Sequence, residues 1–426
     1  MKKWIPAVLF LVCGLFLLTS VRIGEGENQM TAVEEAGTTE KFSWEVTYVL
    51  NGGTNSILNP DRITTKTPLP MELYSPYRAG YNFSGWYSDA ACQQRVEQLT
   101  EQRDITLYAK WTLIIDSLEN IKAYPYYQSS GQGDTRCLRD LSFALMYQIE
   151  TPGNPQTRWT DFQNHYIDSE NQCPQGLCMT KDYVIISTYS AGEEDEESLG
   201  ALIFYDRETG EHVKSFGMES ESHLGGIAYD GENLWICHSN TREVERISFD
   251  FLEHLIRISK QNFIDISGCF SRYPVRNTPS CIAYEDGKLY VATHHIYASA
   301  RMYVYRYHEK EDTLEVEEGY FIPSKVQGVT FDGEGRVYLS TSYGRSKSSY
   351  LYVYDSLKEL ESFFAAPRLR VEMPPGSEEI LRQGDELYIL FETACYKYYE
   401  GTDGNGTCDY PLDKIVILDL ASLFYD

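Results

Sequence analysis

The chain returns five times to the same short text. Gly176, Gly226, Cys281, Gly328 and Glu379 hold one register position in it, at steps of 50, 55, 47 and 51 residues. The copies begin Gln175-Gly-Leu-Cys-Met, Gly225-Gly-Ile-Ala-Tyr, Ser280-Cys-Ile-Ala-Tyr and Gln327-Gly-Val-Thr-Phe, with a worn fifth copy at Glu378-Glu-Ile-Leu-Arg. Each continues through a turn into a second apolar run: Tyr183–Ser187, Leu234–His238, Leu289–Thr293, Val337–Thr341 and Leu387–Phe391. A third run then ends near an acidic residue in several copies, as in Leu202–Asp206 and Leu351–Asp355. Strand-length runs at a period near fifty predict the blades of a β-propeller. Five copies predict five blades; a six-bladed ring in which residues 113–165 form one blade is the alternative. The fifth copy supplies only three strands, and a ring closes well when every sheet edge is paired. The strand read near residues 142–150 is therefore expected to complete the last blade from the other end of the propeller.

In such a ring the first strand of each blade lines the axis, and glycine suits positions where several backbones crowd together. The residues just before these strands are polar: Gln175, His223, Asn277, Gln327 and Glu378. The ends of the second strands are polar too, carrying Thr188-Tyr189, His238-Ser239-Asn240, His294-His295, Thr341-Ser342-Tyr343 and Glu392-Thr393. Both zones are expected to gather at one mouth. The candidate ligand-binding residues are Gln175, Tyr189, His223, His238, Asn240, His294, His295, Gln327, Thr341, Tyr343 and Glu392. Converging amides, hydroxyls and imidazoles beside aromatic faces suit a glycan or similar polar ligand. A carbohydrate-cleaving hydrolase or lyase using Glu378 and Glu392 is the enzymatic alternative. A structural or protein-docking propeller without a small ligand is the third reading. No short histidine spacing marks a metal site, no phosphate-binding loop or nucleophile elbow is present in a usable context, and no cofactor is expected.

Composition narrows the partners. A formal net charge of −26 argues against nucleic acid, whose phosphates need a basic surface. The 34 tyrosines favour pleated, half-exposed strands. A negative mean hydropathy excludes a polytopic membrane protein. At the N-terminus Lys2 and Lys3 precede an apolar run from Trp4 to Leu18, the make-up of a secretory signal over residues 1–23. If that segment stays uncleaved, it is the chain's one expected membrane contact. Residues 24–41 are acidic and small and read as a flexible linker.

Residues 42–112 form a separate text. Val46, Tyr48 and Leu50 alternate into a strand that stops at Asn51-Gly52-Gly53, residues that tolerate positive φ. Gly80-Tyr81, Phe83 and Gly85-Trp86-Tyr87 follow, and the segment closes on Leu107-Tyr-Ala-Lys-Trp111. On these motifs the module resembles the Listeria–Bacteroides repeat, the B-repeat of internalin-type surface proteins. That resemblance implies a compact β-grasp-like fold on a secreted or cell-surface bacterial protein, and it does not imply an enzyme. Trp86 and Trp111 are read as core anchors of a small domain, which needs large apolar residues.

Residues 113–136 are read as a linker and 137–426 as the propeller. Nine cysteines follow Cys13, and in an exported protein bridges persist. Cys395 with Cys408, flanking a Gly/Asp/Asn-rich loop, and Cys269 with Cys281 are the disulfide candidates. Taken together, the sequence predicts an all-β, extracellular or cell-surface binding protein: a β-grasp-like module followed by a five-bladed propeller whose mouth meets a glycan or a host or cell-wall ligand.

Overall fold

The computed structural model describes residues 42–127, 134–153, 172–191, 199–219 and 223–424. The expected signal segment and acidic linker lie outside the described residues. Among those described, no helix is long and apolar enough to cross a membrane. The chain is nearly all β.

The N-terminal module is a five-stranded sheet in the order Arg62–Thr64, Ser43–Val49, Ile105–Leu113, Tyr81–Tyr87 and Arg95–Val96. Its first and last long strands run parallel, pairing Val46 with Ile105 and Tyr48 with Leu107. Alternation along the strands buries Val46, Trp86, Leu107 and Ala109 with Ile63 and Leu99 in one core. Trp86 is 2% exposed and donates from Nε1 to the Tyr74 carbonyl at 3.2 Å. Trp111 donates to the Leu50 carbonyl at 2.9 Å. Both indoles are anchors, as their sequence context predicts. The turn that follows the Ser43–Val49 strand needs its Asn-Gly-Gly text: Asn51 and Gly52 have φ of 46° and 86°. A Cβ on Gly53 would run into the Trp111 ring.

The stretch expected as a linker instead carries structure. Asp116 caps the helix Ser117–Ala123 through the Glu119 N–H. Ile121 of that helix is fully buried, Ser117 Oγ donates to Asp413 at 2.5 Å, and Asn120 donates to the Pro411 carbonyl at 2.7 Å. Asn120, Ile121 and the capping aspartate make a short amphipathic helix too brief to be read by periodicity. Asp134–Cys137 then adds, in parallel, to the outer edge of the fourth sheet described below.

The described residues within 143–424 form five sheets of propeller-like arrangement. The first holds Gln172–Met179, Tyr183–Ser190, Leu199–Asp206 and His212–Glu219, with Phe263–Asp265 added at its edge. The second holds Ile227–Tyr229, Asn233–His238, Glu243–Ser248 and Ser271–Pro274. The third holds Cys281–Glu285, Lys288–Ala292, Ala300–His308 and Thr313–Ile322. The fourth holds Val326–Phe331, Val337–Thr341, Ser349–Tyr354 and Leu369–Met373. The fifth holds Ser377–Gln383, Glu386–Phe391, Val416–Asp419 and, at its edge, Phe143–Leu145. That edge strand pairs Leu145 with Val416 and Phe143 with Leu418, so the chain's earlier segment does finish the last sheet.

The first strands of the five sheets pack against one another in sequence order, and the fifth returns to the first. The repeated register position is what makes this approach possible. A Cβ on Gly226 would lie 2.7 Å from Cys281 Cα and 2.9 Å from Glu379 Oε2. One on Gly328 would lie 2.7 Å from the Ile380 nitrogen. Between neighbouring sheets the apolar faces form continuous cores, with Trp235 fully buried against Tyr273 and Tyr307. Its indole N–H is satisfied by Asp230 at 2.7 Å.

Candidate functional site

The polar residues before the first strands and after the second strands converge on one end of the ring. There they line an open cavity of about 730 Å³. Seven of the eleven predicted residues face it: Gln175, Tyr189, His223, His294, Gln327, Tyr343 and Glu392. They come from all five sheets or the loops between them.

The floor is a hydrogen-bonded carboxyl pair. Glu378 and Glu392 bond to each other, and each carboxyl is also held by an amide. Gln175 Nε2 donates to Glu392 Oε2 at 3.0 Å, and Gln327 Nε2 donates to Glu378 Oε1 at 2.9 Å. Burial, and then the neighbouring Glu392 charge, push Glu378 well above the usual carboxylate range. Glu392 is also raised by burial, but Tyr398, Lys397 and Cys173 stabilise its ionised form. Two like carboxyls this close cannot both ionise cheaply, so burial and mutual repulsion favour a proton on the pair.

One wall is aromatic and cationic. The Tyr189 and His223 rings lie 4.5 Å apart between centroids, and Lys397 Nζ donates to the Tyr189 hydroxyl at 2.6 Å. Burial and the Lys397 charge hold His223 below its ordinary value, so its imidazole is neutral at neutral pH. His294 is lowered chiefly by burial, and its Nε2 is a buried atom with no hydrogen-bond partner. Tyr343, 40% exposed, stands at the rim with Lys325 over its ring at 5.3 Å.

Four predicted residues lie elsewhere. His238 turns into the second sheet, where Nδ1 meets Thr241 Oγ1 at 2.9 Å and Nε2 lies 3.9 Å from the buried Glu245. Asn240 is exposed in the turn beyond that strand, one residue past Ser239, which takes the cavity-facing place. His295 points outward and accepts from the Ala298 N–H at 3.0 Å, capping its own loop. Thr341 donates to the Tyr350 carbonyl at 3.1 Å and borders a neighbouring groove of about 510 Å³. Strand alternation turns His238 and Thr341 away from the axis, whereas Asn240 and His295 lie past the ends of their strands, in a turn and a loop.

The disulfide candidates are corrected as well. Among the described residues no disulfide is formed. Cys281 is buried in the innermost strand of the third sheet while Cys269 is exposed, so the two do not meet. The loop between Cys395 and Cys408 is tied without a bridge. Arg345 donates to the carbonyls of Lys397, at 3.0 Å, and Gly406, and forms an ion pair with Asp403. The Cys408 N–H donates to the Tyr398 carbonyl at 2.8 Å. Cys395 Sγ instead meets Cys173 Sγ at 3.2 Å.

This loop supplies what the repeat pattern does not reveal. Lys397, Tyr398, Asp403, Asn405 and Thr407 all line the cavity, as does Arg345. The loop interrupts the last copy between its second and third strands, and that break in the period is the sequence signal for it.

Comparison with known proteins follows the same division of the chain. Residues 44–110 match the Listeria–Bacteroides repeat domain family. No curated protein matches the chain. Among solved structures, Myxococcus xanthus glutaminyl cyclase is similar at 11% identity over 68% of this chain and 99% of that one, with a TM-score of 0.38. A chain of the nidogen/laminin complex is similar at 14% identity over 58% of this chain and 85% of that one, with a TM-score of 0.33. Kuenenia stuttgartiensis hydrazine synthase is similar at 12% identity over 53% of this chain, with a TM-score of 0.31, and the match spans 58% of that protein's chain. Residues 44–110 of this protein are a Listeria–Bacteroides repeat domain, a module that occurs in surface and extracellular proteins.

Proposed function

We propose that the five sheets are the blades of a five-bladed β-propeller and that its polar mouth binds an extracellular glycan or similarly hydroxylated ligand. The protein would then be an exported surface binding protein, with the repeat domain as a spacer or adhesive accessory. One observation carries this reading: seven residues, separated by up to 217 positions in the chain, converge on a single open cavity. Its lining offers amide, imidazole and hydroxyl groups beside the faces of Tyr189 and Tyr343, the combination that orients a sugar.

The hydrolase alternative is less well supported. Glycosidic carboxyls stand roughly 5–9.5 Å apart on either side of the bond to be cleaved. Glu378 and Glu392 are hydrogen-bonded to each other and come from one sheet.

A glycan array probed with the full chain, followed by calorimetry on any hit, tests the proposal. Binding that is lost in Tyr189→Ala and weakened in Tyr343→Ala is the expected result. A folded chain that binds no glycan, or binds equally well in both variants, removes the reading.

A further inference from the structure

The seam of the ring is where the first sheet meets the fifth, and it holds two sulfurs in contact. Cys173 sits in the first strand of the first sheet, and Cys395 N-caps the short helix Tyr396–Tyr399 that follows the second strand of the fifth. They are 222 residues apart in sequence, yet Sγ lies 3.2 Å from Sγ. Both are buried, at 0% and 1% exposure, in a small cluster with Tyr189. The backbone around Cys395 is fixed from the first-sheet side as well, since the Tyr396 N–H donates to the Gly153 carbonyl at 3.0 Å. A Cβ on Gly153 would sit 3.0 Å from Cys395 Cβ, so the Gly153 backbone packs closely against this side chain. Two thiols brought this close by elements from opposite ends of the ring need only a small side-chain adjustment to bond.

We propose that Cys173 and Cys395 form a disulfide that covalently closes the ring at its seam. The oxidant is a disulfide-bearing one of the extracellular or extracytoplasmic space. One thiolate attacks its sulfur and releases the first oxidant thiol. The other cysteine then attacks the mixed disulfide and releases the second. The chain loses two electrons and two protons, and the oxidant's disulfide becomes two thiols.

Burial dictates when this happens. It pushes the Cys173 thiol far up, so little thiolate exists in the closed ring. The bond therefore forms while the seam is still open, during folding, and once formed it is shielded from reductants. The cavity floor feels the change too. The Cys173 S–H donates to Glu392 Oε2 at 3.4 Å, and bond formation withdraws that donor. This chemistry is independent of what the mouth binds.

The test uses the full chain, refolded with oxidised and reduced glutathione, alkylated in denaturant and mapped by mass spectrometry. A linked peptide pair containing Cys173 and Cys395 is expected, with two fewer alkylatable thiols per chain than in the reduced protein. Cys408→Ser is expected to keep the link, and Cys395→Ser to abolish it. In the native protein, reduction by dithiothreitol is expected to be slower by tenfold or more than in urea. Full alkylation of both cysteines after oxidative refolding overturns the proposal. So does a link that joins Cys395 to Cys408. Circular dichroism of the Cys173→Ser/Cys395→Ser double variant separates a missing bond from a missing fold.

Discussion

Gln175 and Glu392 lie 217 residues apart in the chain and 3.0 Å apart in space, amide to carboxylate, across the place where the ring joins its own beginning. That bond links the first sheet to the fifth at the floor of the cavity. Removing the amide leaves a buried acceptor short of a donor, which costs about 1–3 kcal/mol. Gln175→Leu is expected to lower the unfolding free energy extrapolated from urea titration by that amount, whereas Gln175→Glu disrupts more by adding a third acid beside the pair. Equal stability of Gln175→Leu and the natural protein would show that the seam does not depend on this contact.

Glu379 makes stability depend on pH. It is 1% exposed at the hub, accepts from the Ile380 N–H at 3.2 Å, and is raised by burial well above its ordinary value of 4.5. A group raised in the folded state contributes stability that is fully present below its unfolded pKa. That contribution is lost as pH rises toward the folded value. Between about pH 4.5 and the folded pKa the loss from one such group is about 1.4 kcal/mol per pH unit. Glu379→Gln removes the ionisation and is expected to flatten the decline seen in melting temperature from pH 5 to pH 9. Glu378 keeps a residual slope of the same sign, because it too is raised. Parallel curves for the variant and the natural protein would contradict this account.

His223 reports on the cationic wall. Burial and the Lys397 charge together hold it below its ordinary value of 6.5. Lys397→Met removes the second cause and leaves the first. Titration of the His223 ring proton by NMR is expected to show an upward move that stops short of 6.5.

The repeat domain is expected to fail separately from the ring. Gly53→Ala forces a methyl group against Trp111, an overpacking that costs about 1–3 kcal/mol. Hydrogen exchange is expected to accelerate at Val46 and Leu107, which lie on the two parallel strands of that module, while amides of the Val337–Thr341 strand keep their protection. Loss of protection in both places would mean that the two parts unfold together.

Much of the architecture is legible in the text because it is periodic. Gly176, Gly226, Cys281 and Gly328 recur where backbones must approach within a side chain's width, and that need is a local property of each copy. The Asn51-Gly52-Gly53 turn and the Trp86 and Trp111 anchors are equally local, and the repeat domain is readable from them. The closing strand at Phe143–Leu145 follows from counting: a last copy with three strands leaves one edge open.

What the sequence could not decide are relationships set by which way a side chain turns and by which distant loop comes back. His238 and His294 fall one register place apart in two copies, and one turns toward Glu245 while the other faces the cavity. Lys397 and Tyr398 reach the mouth because a loop outside the repeat folds over it and is pinned by Arg345 from the fourth sheet. Cys395 finds Cys173, and not Cys408, because ring closure packs the fifth sheet of the ring against its first. Local backbone preference and hydrophobic period act within a few residues and are written into every copy. Contacts across the seam depend on the accumulated rotation of all five sheets, and that sum exists only in the folded molecule.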